Sequence, residues 1–104
     1  MRAIRKINNN VAVCVDGSGR EIIAFGKGIG FREMPYELDL SAIDRTFYDI
    51  SEQYQPMFSE ISAPLIELAA QIVDRAKAEL PYELNPNINI TLADHISFCL
   101  ERLE

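Results

Sequence analysis

Three groups of residues in this 104-residue chain have types and spacings that could do chemistry. The first is the stretch AFGKGIGF, Ala24 to Phe31, in which Gly26, Gly28 and Gly30 alternate with Lys27 and Ile29. Glycine weakens a strand, so it is used where a chain bends or where a backbone or ligand comes close. On an extended strand Lys27, Ile29 and Phe31 would share one face, and the glycines would leave the other face bare. A bare face admits either a neighbouring backbone or a ribose-phosphate chain, with a cation for phosphate and a ring for a base nearby. The second group is the triplet Asn8-Asn9-Asn10. Its amides can pair with base edges, or can bond back to their own backbone and shape a turn. The third is His95, the only histidine, beside Asp94. A neutral imidazole there could accept a phosphoryl group, or could sit satisfied on the rim of an apolar helix seam.

Other chemistries are excluded by spacing. A phosphate-binding P-loop needs Gly-Lys followed by Ser or Thr, and Lys27 is followed by Gly28. The dinucleotide fingerprint fails because Phe31 stands at its third glycine position, with no following helix. Cys14 and Cys99 lack metal-ligand spacing, so neither a metal site nor a cofactor is expected. They read as reduced core thiols of a cytoplasmic protein. No acid–base pair or nucleophile with a base is visible, so the chain does not read as an enzyme. No apolar run approaches the ~18 residues of a membrane span, and membrane insertion is not expected.

The elements that must position these residues fall into two halves. Hydrophobic residues make up 48% of the chain and charged residues 25%, an ordinary globular composition. The net charge of -6 hides an asymmetry: Met1–Glu33 has six Lys or Arg against three Asp or Glu, whereas Met34–Glu104 has four against thirteen. A basic front and an acidic back suggest two parts with different partners. The front reads as three or four short antiparallel strands. VAVCV is a strand, the asparagine triplet is a turn, and Asp16-Gly17-Ser18-Gly19 is a hairpin signal. So small a sheet buries little surface alone, which predicts self-association. The back reads as helix. Leu65, Leu68, Ala69, Ile72, Val73, Ala76 and Leu80 line one face, with Ser62 at the N-cap and Pro64 in the first turn. A second helix is expected from Thr91, with Asp94 in a capping box and a seam of Leu92, Ile96, Cys99 and Leu103. Leu40 to Phe58 reads as a linker with a short helix. The fold class is therefore α+β: a small antiparallel β domain that dimerises, followed by an incomplete helical bundle.

The combination IRKINNNVAV, then GREIIAFGKGIGF, resembles the co-antiterminator RNA-binding domain of the BglG/SacY family of bacterial transcriptional antiterminators. The likeness covers about the first thirty-one residues. ITLADHISFCLERL, near the end, is similar to the histidine helix of that family's first regulatory domain, whose hallmark reads LTDHI.FA. The resemblance implies an RNA-binding domain with its linker over residues 1–55 and the start of a helical regulatory domain over 56–104.

It also implies partners and roles. The β domain would bind, as a symmetric homodimer, an RNA hairpin in a leader transcript and so preclude an overlapping terminator. Arg5, Asn8, Asn10, Gly26, Lys27, Gly28 and Phe31 would form the RNA surface. His95 would be phosphorylated by donors of the sugar phosphotransferase system. Family members are more than twice this length, so the helical half would be truncated and its seam left in need of a partner. Two rivals stand beside this reading: a protein-interaction module that only dimerises, and a phosphotransfer enzyme that relays phosphate through His95.

Overall fold

The computed structural model describes residues 1–103, in two compact units, Met1–Ile50 and Ser51–Glu104. The first unit is a five-stranded antiparallel sheet. Its strands are β1 (Arg2–Asn8), β2 (Val11–Val15), β3 (Glu21–Phe25), β4 (Tyr36–Glu37) and β5 (Arg45–Tyr48), in the order β4-β1-β2-β3-β5. β2 lies at the centre because every residue of VAVCV is apolar and so suits burial on both faces. Ala3, Ala12, Cys14, Ile22 and Ala24 form one face, closed over by Ile29 and Leu38. The register Val13↔Ile23↔Phe47 places a second buried apolar row on the other face. β1 shifts register against β2 between Ala3 and Arg5 and again between Lys6 and Asn8. β4 pairs only with Arg2 and Ala3, so the outer edge of β1 beyond Ala3 is not covered by that strand.

Both expected turns are present. Asn9-Asn10 is the two-residue connection of β1 and β2. In the β2–β3 turn the Asp16 carboxylate accepts from the Ser18 N–H, the Ser18 hydroxyl and the Arg20 N–H, and Gly19 has a φ of 85°. Two readings of the front half are corrected. Residues 26–31 are not strand but consecutive turns. The expected linker from Leu40 to Phe58 contains β5, whose Phe47 pairs with Ile23, between the 3-10 turns Leu40–Ala42 and Glu52–Tyr54.

The second unit holds α1 (Met57–Glu60), α2 (Ala63–Glu79) and α3 (Ile88–Glu101). Ser62 is the N-cap of α2 and Pro64 lies in its first turn, as the sequence implies. The buried face is rotated from the expected one. Ile66, Ala69, Ala70 and Val73 are buried, whereas Leu68 and Ile72 are each 45% exposed. α2 packs on α3, and two of its four buried residues are alanines. α3 starts three residues before Thr91, with Asn87 at its N-cap, and the Thr91 hydroxyl donates to the Asn87 carbonyl instead of capping. Asn87 also exchanges side-chain hydrogen bonds with the Ser51 N–H and hydroxyl, fixing the helix start. Of the thiols, Cys14 is buried as expected, but Cys99 is exposed and not core.

Candidate nucleic-acid interface

The asparagine turn and the glycine stretch, read from the sequence as separate features, form one module. The N–H groups of the three alternate glycines all donate to the turn. Gly26 N–H bonds the Asn10 carbonyl, Gly28 N–H bonds Asn10 Oδ1, and Gly30 N–H bonds the Asn9 carbonyl, each at 2.9 Å. The Asn10 N–H in turn donates to Asn8 Oδ1 at 2.8 Å. The loop is tightened by Ile29 N–H to Gly26 O and Phe31 N–H to Gly28 O.

This network explains the glycines. A side chain at Gly30 would collide with the Asn8 carbonyl, and one at Gly26 with the Ala42 carbonyl. Gly28 meets open space apart from the Phe31 ring but has a φ of 75°, in the left-handed region that favours glycine. Approach by a neighbouring backbone therefore holds over the expected bare strand face, and the backbone is the chain's own. Gly26 and Gly30 are buried and shape the loop; they do not offer an open surface to a ligand.

The loop and the adjoining strand display a distinct set of groups. Lys27 is exposed and Phe31 is 71% exposed, with Arg5 and Lys6 exposed on β1 and Asn9 at the turn tip. Asn8 and Asn10 are half-buried, with their side-chain oxygens engaged in the loop. Asn10 Nδ2 keeps its donor capacity, because no hydrogen bond from it occurs among the described residues. An exposed cation, an exposed ring and a fixed amide donor can respectively meet phosphate, stack on an unpaired base and read a base edge.

Arg32 is a further exposed cation next to the loop that the sequence reading did not single out. It follows Phe31 and its guanidinium lies 4.7 Å from the centre of the Tyr36 ring. The signal available was an Arg four residues before a Tyr in a short connection.

His95 belongs to the other unit, exposed on α3. Its Nε2 lies 3.7 Å from Cys99 Sγ, one helical turn on. The thiol, not the neighbouring Asp94, is therefore the group in contact with the ring. No helix is long and apolar enough to cross a membrane, and no cluster of three or more His, Cys, Asp or Glu among the described residues could hold a metal.

Comparison with known proteins places this geometry. Residues 1–55 match the family model described as CAT RNA binding domain. The chain is 31% identical over 107 residues to transcription antiterminator LicT of Bacillus subtilis, covering 98% of this chain and 39% of that protein. It is 26% identical to the beta-glucoside operon antiterminator of Dickeya chrysanthemi, covering 98% of this chain and 38% of that one. Among solved structures it is similar to the crystal structure of GlcT CAT-PRDI, with a TM-score of 0.62 and 25% identity over 98% of this chain and 64% of that one. The chain thus spans about two fifths of the length of these curated relatives. With a CAT RNA-binding domain over more than half its length, the chain belongs to the BglG/SacY-type family of transcriptional antiterminators.

Proposed function

We propose that the chain binds, as a homodimer, an RNA hairpin interrupted by internal loops in a leader transcript, and that holding this hairpin prevents an overlapping terminator. The observation that carries the reading is the single hydrogen-bonded module of asparagine turn and glycine loop, with Lys27 and Phe31 displayed on it. Lys27 and Arg5 meet phosphate, Phe31 stacks on an unpaired base, and Asn8 and Asn10 face base edges through their amide donors. Gly26 and Gly28 act by fixing the loop that carries these groups.

The helical unit bears the switch. His95 accepts a phosphoryl group from donors of the sugar phosphotransferase system: a ring nitrogen attacks phosphorus, the phosphorus–nitrogen bond to the donor imidazole breaks, and the proton lost from the His95 ring is balanced by one taken up by the departing imidazole. The chain then acts as substrate of that transfer and not as an enzyme, in the cytoplasm where the donors are.

Affinity for a leader hairpin at two salt concentrations, with thermal unfolding of each variant, tests the RNA reading. Lys27→Ala is expected to weaken binding and make it less salt-sensitive, because one phosphate contact and its counterions are lost. Phe31→Ala is expected to cost about 1–3 kcal/mol with little change in salt dependence. A wild-type chain that folds, dimerises and binds no hairpin would make it a dimerisation module. Acid-labile labelling by the phosphoryl donors that persists in His95→Ala would remove His95 from the switch.

A further inference from the structure

The first unit holds two arginines stacked on tyrosines, and they differ in one respect. Arg20 lies 4.6 Å from the centre of the Tyr48 ring and is neutralised by Asp49, whose carboxylate it binds at 2.5 Å. Arg32 lies 4.7 Å from the centre of the Tyr36 ring and has no carboxylate partner among the described residues. The Arg20 stack is thus internally satisfied, whereas Arg32 is exposed with its charge uncompensated.

Arg32 is also held in place relative to the glycine loop. The Tyr36 hydroxyl donates to the Ile29 carbonyl at 2.6 Å, and Tyr36 itself pairs with Ala3 at the start of β1. Its ring is partly buried against the cluster under the loop. A guanidinium lying over that ring keeps its N–H donors along its edges, where they suit phosphate oxygens. Because the stack already restricts the side chain, less rotamer entropy is lost when a ligand binds.

We propose that Arg32 is a further RNA-binding residue, contacting a phosphate of the strand whose unpaired base stacks on Phe31, and that Tyr36 is its positioning residue. The inference rests on the RNA-binding reading of the glycine loop. It adds a fixed bidentate donor to the contribution of Lys27, whose flexible ammonium acts as a point charge.

The test measures affinity of the full chain for the internal-loop hairpin of the leader upstream of its own gene, across a salt series, with thermal unfolding alongside. Arg32→Ala is expected to lose roughly tenfold in affinity near 0.1 M salt and to make the log–log salt slope shallower by about 0.7. Arg32→Lys is expected to keep the slope but still lose several-fold, because lysine does not reproduce the stacked fork. Tyr36→Leu should weaken binding in the wild-type background and have no further effect on affinity in Arg32→Ala. A merely structural tyrosine would weaken both backgrounds equally.

The outcomes separate cleanly. If Lys27→Ala and Phe31→Ala lose affinity while Arg32→Ala binds as wild type, this inference is overturned and the RNA reading stands. If Arg32→Ala loses thermal stability in step with affinity, the stack is structural and the inference is again overturned. A folded wild-type chain that binds no hairpin overturns both.

Discussion

Gly28 and Gly30 stand two residues apart, yet substituting them acts through different physics. Alanine at Gly30 would place its methyl against the Asn8 carbonyl, which is backbone and cannot swing aside. The asparagine turn must then move, and Gly30→Ala is expected to destabilise by about 3 kcal/mol, near the top of the range for overpacking. Alanine at Gly28 meets only a flexible ring edge, and its cost is the left-handed backbone, about 1–2 kcal/mol. Urea unfolding that ranks Gly28→Ala above Gly30→Ala in cost would contradict this account. Two exposed carboxylates give a further prediction at this scale. Hydrogen bonds centred on Ser18 hold Asp16 below its ordinary pKa, and those from the Ser41 N–H and hydroxyl do the same for Asp39. A depressed folded pKa contributes stability above the unfolded pKa of about 4, lost as pH falls through the folded value. The melting temperature of Asp16→Ala/Asp39→Ala should therefore fall less steeply than that of wild type below about pH 4.

At the scale of elements, local chemistry decided what could be read in the sequence. The β1–β2 and β2–β3 connections were legible because Asn and Gly at fixed offsets state the turn directly. β5 was not, because RTFY is four residues long and its strand character comes from pairing with β3 across a long stretch of chain. The α2 face was misplaced for a related reason. Leu68 and Ile72 carry the stronger hydrophobic signal, but the buried face is made by Ile66, Ala69, Ala70 and Val73. Of the site, the residue types were legible and their mutual bonding was not. No spacing rule says that Asn10 Oδ1 accepts from Gly28, eighteen residues on. That bond joins two connections of the sheet, so Asn10→Ala should leave the Gly28 N–H without its acceptor. The expected cost is about 1–2 kcal/mol in urea unfolding, with faster amide exchange at Gly28. Unchanged exchange there would show that the loop keeps its shape without the turn.

For the whole molecule, the first unit raises the question of what covers a sheet that is apolar on both faces. Ile29 and Leu38, carried on its own connections, close over Ala12, Cys14, Ile22 and Ala24. The row of Val13, Ile23 and Phe47 lies on the opposite face and is likewise buried in the single chain, at most 4% exposed. An isolated fragment of residues 1–55 is about the smallest size at which a single core suffices. At that size a second copy adds apolar burial and, by two-fold symmetry, would present two asparagine–glycine modules to one hairpin. Sedimentation of residues 1–55 at micromolar concentration is therefore expected to show a dimer. Val13→Asp, which buries an unpaired charge at a fully buried position of β2, should unfold it, whereas Lys27→Ala, on the exposed loop, should leave the dimer intact. A fragment that sediments as a folded monomer, with native amide dispersion, would mean that the small sheet needs no second copy, and the symmetric RNA complex would lose its basis.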